Sequence, residues 1–240
     1  SRYKEADLDF PQFVRTAFDS IRTRECQSLI IDIRENGGGS EGNEDLLFAE
    51  LNTGPYVKYR SVQASAFTFS FLRHTDLRRK ADARELEIEL RREHAAAPDG
   101  RLLRRPGVME PAPPRPDAFT GQVYVLTSGW TYSGGAEFAS LMRQHTGAIF
   151  IGEEVGGAFG GNTSGHMLTL TLPHSHITVE VPILYFNLAV DRQALDRGVL
   201  PDIALQPTIG QFLRGEDVVM EQALRSAGAV SLDPARDPRK

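Results

Sequence analysis

The sequence predicts an α/β protein whose sheet is mostly parallel. The first observation is a helical apolar pattern at residues 9–23 followed by a near-continuous apolar run at 28–33, which is typical of a strand covered on both faces. The second is the order strand, glycine loop and helix over residues 28–51, because such a crossover joins parallel strands and places its loop at their carboxyl ends. The third is another strand, turn and helix that begins at 123–127.

The next part of the chain changes in composition. Residues 43–51 predict a helix, and residues 56–71 contain an alternating pattern that predicts a strand. Residues 76–94 carry twelve charged residues in nineteen, and residues 95–116 are rich in proline, arginine and glycine. We therefore predict a charged insertion over residues 72–118, made of a solvent-facing helix and a loop, and acting either as a solvated surface or as a lid.

The remainder of the chain predicts short strands, a glycine-rich loop at 156–165, two helical turns and a disordered tail at 231–240. Two of the strands form a hairpin, and the last two close the sheet. The strands are expected at 148–151, 166–172, 177–181, 185–190 and 203–205, and the helical turns at 209–213 and 218–227.

Composition excludes several classes of function. The 240 residues are 40% apolar and 25% charged, which is typical of a globular protein, and the length predicts one large domain over residues 1–240, with room for a sizeable insertion. A net charge of −5 argues against nucleic acid as a partner. No apolar run is long enough to span a membrane, and residues 1–10 do not resemble a signal peptide. The single Cys26 precludes an internal disulfide, and we expect no metal and no cofactor.

Ser133 is the strongest candidate for a reactive residue. It lies where the strand at 123–127 gives way to a helix, and Gly134 and Gly135 follow it. The first turn of a helix offers unpaired N–H groups and the positive end of the helix dipole to a developing negative charge. This position therefore suits a serine nucleophile with half of an oxyanion hole, although a serine before a helix also acts simply as a cap.

The glycine run at residues 37–39 is the second candidate feature. Neither the dinucleotide-binding pattern nor the phosphate-binding loop pattern fits, because no lysine follows the run and Gly42 is out of register. Glycines at a strand end can instead present bare N–H groups to an oxyanion.

Three separated stretches, 29–39, 123–153 and 197–202, occur in the order found in one family. Over residues 10–224 the chain resembles the C-terminal processing, or tail-specific, serine peptidases, a group that includes the tricorn core peptidase and the interphotoreceptor retinoid-binding protein repeats. The resemblance implies a ClpP/crotonase-like core, peptide or protein substrates, and an extracytoplasmic location. It also leaves open whether the chain forms a homo-oligomer.

The resemblance implies roles for individual residues. Ser133 matches the family nucleophile, Gly134 the following N–H donor to the oxyanion, and Gly38 the donor from the glycine loop. Asp32, Arg34 and Asn36 match the family signature without a direct catalytic role.

The chain departs from the family at the general base. Where the Ser/Lys peptidases have a lysine, this chain has Ala158, and where the tricorn-like branch has a glutamate it has Leu195. The upstream segment that carries the histidine of that branch is expected to precede Ser1, which suggests a fragment of a longer protein. We therefore expect weak or no activity from this chain alone.

Histidines of the chain itself could replace the missing base. His166 follows the glycine-rich loop in the region of the family lysine and is the best candidate base. His145 lies about 18 Å along the helix from Ser133 and cannot serve. Asp191 and Asp196 could orient a histidine, but they also fit ordinary surface charges.

These features support a serine endopeptidase that acts through an acyl-enzyme. The alternative is a non-catalytic module on the same fold that binds peptides or hydrophobic ligands. A crotonase-type acyl-CoA enzyme shares the paired N–H donors but does not use Ser133.

Overall fold

A computed structural model describes residues 9–39, 42–106, 110–163 and 165–228. The predicted tail at 231–240 lies outside the described residues. In chain order the elements are α1 (Phe10–Thr23), β1 (Ser28–Asp32), α2 (Asn43–Ala49), β2 (Tyr59–Ala64), a 3₁₀ turn (Leu72–His74), α3 (Lys80–Glu93), β3 (His94–Ala96), β4 (Leu102–Arg104), β5 (Gln122–Thr127), α4 (Gly134–His145), β6 (Ile149–Gly152), β7 (Gly161–Asn162), β8 (Met167–Thr171), β9 (Thr178–Pro182), β10 (Leu184–Leu188), β11 (Ile203–Ala204), α5 (Ile209–Leu213) and α6 (Val218–Ser226).

The chain divides into two compact units. The first contains residues 1–55, 113–159 and 192–240, and the second contains residues 56–112 and 160–191.

The first unit is built on a parallel sheet in the order β1-β5-β6-β11. Its inner strand β5 is apolar from Val123 to Leu126, and Val125 and Leu126 are fully buried on opposite faces. On one face α6 packs against β5 and β6, where Val219 and Ala223 join a core cluster with Leu126 and Ile151. The predicted α/β fold with a parallel sheet is therefore confirmed.

Helix α1 shows how the local sequence sets an element of this unit. It begins at Phe10, its N-cap Asp9 accepts the N–H of Gln12 at 2.9 Å, and a proline occupies its first turn. Val14 and Phe18 form its buried face. Helix α2 packs against both α1 and α4, so these three helices form one packed group.

The second unit contains an antiparallel sheet in the order β3-β4-β2-β10-β7 and the separate hairpin β8–β9. The predicted hairpin is confirmed. Residues 185–190 were expected to close the parallel sheet, and that expectation is wrong, because β10 pairs with β2 and β7. The loop expected at 95–116 is also interrupted by strands, since β3 and β4 pair with each other and β4 pairs with β2.

His94 gives the second unit a predicted pH dependence. The imidazole is only 1% exposed, its Nδ1 lies 3.2 Å from the Leu90 carbonyl oxygen, and its Nε2 has no hydrogen-bond partner in the described part of the chain. Burial lowers the pKa of His94 below its ordinary value of 6.5. Below pH 6.5 the unfolded chain therefore binds a proton more readily than the folded chain, and the free energy of unfolding should fall, by at most about 1.4 kcal/mol per pH unit from this group.

Urea unfolding of the wild type and of His94→Gln at pH 7.5 and 5.5 measures this effect. The variant should lose part of the pH dependence, whereas His174→Gln, which changes an exposed histidine, should keep it. An equal pH dependence in the wild type and in both variants would show that His94 does not contribute.

Candidate active site

Ser133 lies at the N-cap of α4 in a strained backbone conformation. Its φ is 50° and its ψ is −125°, a region that residues other than glycine rarely occupy. Its side chain makes no capping hydrogen bond to the helix, so the simple capping role does not describe it. The next two residues are glycines, and a Cβ at Gly135 would lie 2.6 Å from the carbonyl oxygen of Asn36. The turn is thus a tight strand-to-helix junction that projects a partly buried hydroxyl.

The glycine loop after β1 lies directly against this junction. Gly38 has a φ of +101°, and a Cβ added to it would lie 2.5 Å from the Cβ of Ser133 and 2.9 Å from its Oγ. The same added Cβ would lie 3.1 Å from the backbone nitrogen of Gly134. The structure therefore brings three of the four predicted site residues together, and only glycine fits at position 38.

The two backbone N–H groups proposed for the oxyanion differ in their present partners. Within the described residues, the N–H of Gly134 donates to no protein acceptor. The N–H of Gly38 donates to Oδ1 of Asn36 at 2.9 Å. A substrate oxygen could therefore be received by Gly134 directly, whereas Gly38 would have to release or share its bond to Asn36.

Three hydrogen bonds join the glycine loop to the turn before Ser133. The Ser128 hydroxyl donates to the carbonyl of Arg34, and the buried Thr131 hydroxyl donates to the carbonyl of Ile33 at 2.8 Å. The N–H of Tyr132 donates to the carbonyl of Asn36 at 2.9 Å. The sequence analysis missed these side chains, and the only signal for them was a cluster of small hydroxyl residues next to a nucleophile candidate.

Arg34 anchors the start of the glycine loop. Its guanidinium binds both carboxylate oxygens of Asp32, at 2.9 and 2.6 Å, and both of Asp217, at 2.7 and 2.8 Å. These hydrogen bonds lower the pKa of Asp217, which also caps α6 by accepting the N–H of Met220 at 3.0 Å. The signature residues Asp32 and Arg34 thus attach the start of the glycine loop to the N-terminus of α6.

A second set of hydrogen bonds fixes the segment at residues 197–202. Asp202 accepts the backbone N–H of Phe150 at 2.7 Å and pairs with Arg143 at 3.0 and 3.1 Å. Glu154 binds Arg197 through both oxygens and also accepts the N–H of Gly198 at 3.0 Å. These bonds fix the segment after β6 to the segment before β11.

The candidate base and the acidic residues that could orient it are distributed over both units. His166 lies in the second unit, partly buried, and its carbonyl accepts the N–H of Ile183 at 3.2 Å. In the first unit, Leu195 and Asp196 are exposed. Asp191 is also exposed, at the end of the second unit. The role of His166 as the general base stays a prediction.

A cavity of about 390 Å³ opens beside Gly38 and Gly134. Its apolar side chains come from α1, the turn after β1, α2 and α4, and they are Phe10, Ile33, Leu47 and Phe138. A concave apolar space next to a candidate nucleophile is the usual form of a site that holds a substrate side chain.

A family-level match covers most of the sequence. The sequence model of peptidase family S41 matches residues 2–205. The chain belongs to peptidase family S41. The predicted resemblance to the C-terminal processing serine peptidases is therefore confirmed. No sequence among the curated proteins matches this S41 chain.

Solved structures resemble this S41 chain in fold. A protein from Parabacteroides merdae ATCC 43184, solved as a candidate peptidase, is 20% identical with a TM-score of 0.58 and matches 91% of this chain and 59% of its own. The photosystem II D1 C-terminal processing protease is 18% identical (TM-score 0.50; 85% and 41% covered). Mature CPAF complexed with lactacystin is 14% identical (TM-score 0.58; 95% and 48% covered). The chain thus spans only about half the length of these structures.

The described helices are all too short or too polar to cross a membrane. Over the same residues, no three or more histidine, cysteine, aspartate or glutamate side chains are grouped as a metal site would require.

Proposed function

We propose that this S41 chain is a serine endopeptidase of the C-terminal processing type that cleaves peptides through an acyl-enzyme. The observation that carries the proposal is the contact between the glycine loop and the nucleophile candidate, because Gly38 leaves no room for a side chain beside the Ser133 hydroxyl. A substrate carbonyl has to reach that hydroxyl and two N–H donors at once, and a glycine at this position allows the approach.

In the proposed reaction the Oγ of Ser133 attacks the peptide carbonyl and passes its proton to a general base. The N–H groups of Gly134 and Gly38 receive the negative charge that develops on the carbonyl oxygen. The base then protonates the leaving amine as the peptide bond breaks, and water hydrolyses the remaining ester to release Ser133. We assign the base to His166 on its position in the sequence alone.

Labelling with a fluorophosphonate tests the nucleophile, because the reagent forms a stable adduct only with an activated serine. We expect an adduct on the wild-type chain that Ser133→Ala abolishes and that Ser175→Ala, which changes an exposed serine of the β8–β9 turn, leaves intact. Peptide turnover by this chain should be weak, because Ala158 replaces the family lysine and general-base assistance, which is worth about 10² to 10⁴ in rate, then depends on His166 alone. His166→Ala should lower the labelling rate, whereas His174→Ala should not.

The outcomes separate the candidate functions. Absence of any adduct, with peptide binding retained, would replace the peptidase by the non-catalytic module that binds peptides or hydrophobic ligands. Turnover that survives Ser133→Ala would exclude the acyl-enzyme on this residue.

We also propose an extracytoplasmic location and peptide or protein substrates, and family membership is the support for both. Fractionation of cells that produce the native protein tests the location.

A further inference from the structure

A second and larger groove lies at the carboxyl edge of the parallel sheet. Its volume is about 960 Å³, and its floor comes from the residues that end or follow β1, β5, β6 and β11. Ligands of parallel α/β sheets bind at this edge. The groove is lined by Trp130 but not by Ser133, and it shares only Asn36 with the cavity beside Gly38.

Two aromatic side chains stand exposed in this groove. Trp130 is 77% exposed and Phe212 is 72% exposed, although both are large and apolar. Helix α5 also exposes Ile209 and Leu213, at 80% and 76%, so its apolar face has no cover within the described residues. Apolar surface concentrated in this way marks a binding surface, and exposed tryptophan is a frequent anchor residue.

The charges around the aromatic pair are mostly negative. The groove is lined by four carboxylates, Asp32, Glu35, Glu153 and Asp217, and by one guanidinium, that of Arg34. Arg34 is already bound to two of these carboxylates. The excess negative charge favours a ligand that carries positive charge beside its apolar group.

We propose that this groove binds a segment of the substrate peptide in which an apolar or aromatic side chain is flanked by basic residues. The apolar side chain lies between Trp130 and Phe212, and the basic residues face the carboxylates. The identity of the ligand as a substrate rests on the proposed peptidase function. Because Trp130 and Ser133 belong to the same turn between β5 and α4, a peptide held here lies close to the nucleophile.

The test uses Trp130 itself, which is the only tryptophan of the chain. The Ser133→Ala protein is titrated with acetyl-GRFLRG-amide while the tryptophan emission is recorded. We expect a saturable blue shift, at least tenfold weaker binding of acetyl-GEFLEG-amide, and similar weakening with acetyl-GRGGRG-amide. Added salt should reduce the preference for the basic peptide.

Two pairs of variants sharpen the result in the same Ser133→Ala background. Phe212→Ala should weaken binding of the basic aromatic peptide at least tenfold, whereas Phe13→Ala, which removes an exposed phenylalanine of α1, should not. Glu153→Gln should weaken it severalfold, and Glu25→Gln, outside the groove, should leave it unchanged. Circular dichroism and thermal melting confirm that each variant is folded.

Absence of a shift, or equal binding of the basic and acidic peptides, would overturn the proposal. A shift that depends on protein concentration without peptide would assign the surface to a second copy of the chain and would also overturn it. Binding is measured without turnover, so the two proposals can fail separately. Peptide binding without fluorophosphonate labelling would contradict the peptidase function and support the groove. Labelling without peptide binding would contradict only the groove.

Discussion

Replacing Gly38 by alanine is expected to reduce fluorophosphonate labelling of Ser133 by at least about 10²-fold, the usual cost of losing one oxyanion donor. The added methyl group would lie 2.5 Å from the Cβ of Ser133 and 3.1 Å from the nitrogen of Gly134. The φ of +101° is also unfavourable for alanine. The glycine loop must therefore withdraw from the turn, and the two N–H donors separate.

Gly37→Ala is the matched control, because no atom outside its chain neighbours lies within 4 Å of an added Cβ at that position. Labelling by this variant should stay within about twofold of the wild type. The melting temperature of Gly37→Ala should stay close to that of the wild type, and that of Gly38→Ala should fall by a few degrees, because alanine is strained at the positive φ. Equal labelling of the Gly38 and Gly37 variants would remove the glycine loop from the proposed mechanism.

Replacing Gly198 by alanine is expected to have the largest effect on stability. An added Cβ would lie 1.7 Å from the carbonyl oxygen of Val155 and 3.1 Å from that of Gly157, and neither backbone oxygen can move independently. The N–H of Gly198 is also held by Glu154. The free energy of unfolding should fall by more than about 3 kcal/mol, which corresponds to a decrease of roughly 10 °C in melting temperature.

Thermal unfolding followed by circular dichroism measures this loss. Gly147→Ala, where the added Cβ meets no atom within 4 Å, is the control and should melt within about 2 °C of the wild type. A Gly198→Ala protein that melts like the control would mean that the segment before β11 is not fixed to the segment after β6.

The elements around the nucleophile candidate Ser133 could be predicted from the sequence because their signals are local. The apolar strand β5, the glycines after Ser133 and the helical spacing in α4 all lie within one short stretch. The same holds for β1 and its glycine loop. No local pattern predicts the contact between these two stretches. In the sequence, only the family resemblance relates them.

The parts of the fold that the sequence did not predict depend on pairing partners that are distant in sequence. Strands β3 and β4 have three residues each, and they form because β4 pairs with β2. Strand β10 looked like any other strand, and only its pairing with β2 and β7 assigns it to the antiparallel sheet.

Within the candidate site, the nucleophile and oxyanion candidates could be predicted from the sequence, but the groups that position them could not. The hydroxyls of Ser128 and Thr131 donate to backbone carbonyls, and every residue offers such an acceptor. A pattern of residue types therefore cannot reveal these bonds. The bond between the Gly38 N–H and Asn36 was hidden for a related reason, because it depends on the conformation of the loop.

The double ion pair of Arg34 has a consequence for biosynthesis. It ties the end of β1 to Asp217, which lies 183 residues later in the chain. During translation the glycine loop is made well before its anchor, because 183 residues separate Arg34 from Asp217. A nascent chain therefore carries Ser133 before the anchor of the glycine loop exists, so the candidate site can be assembled only after Asp217 has been made.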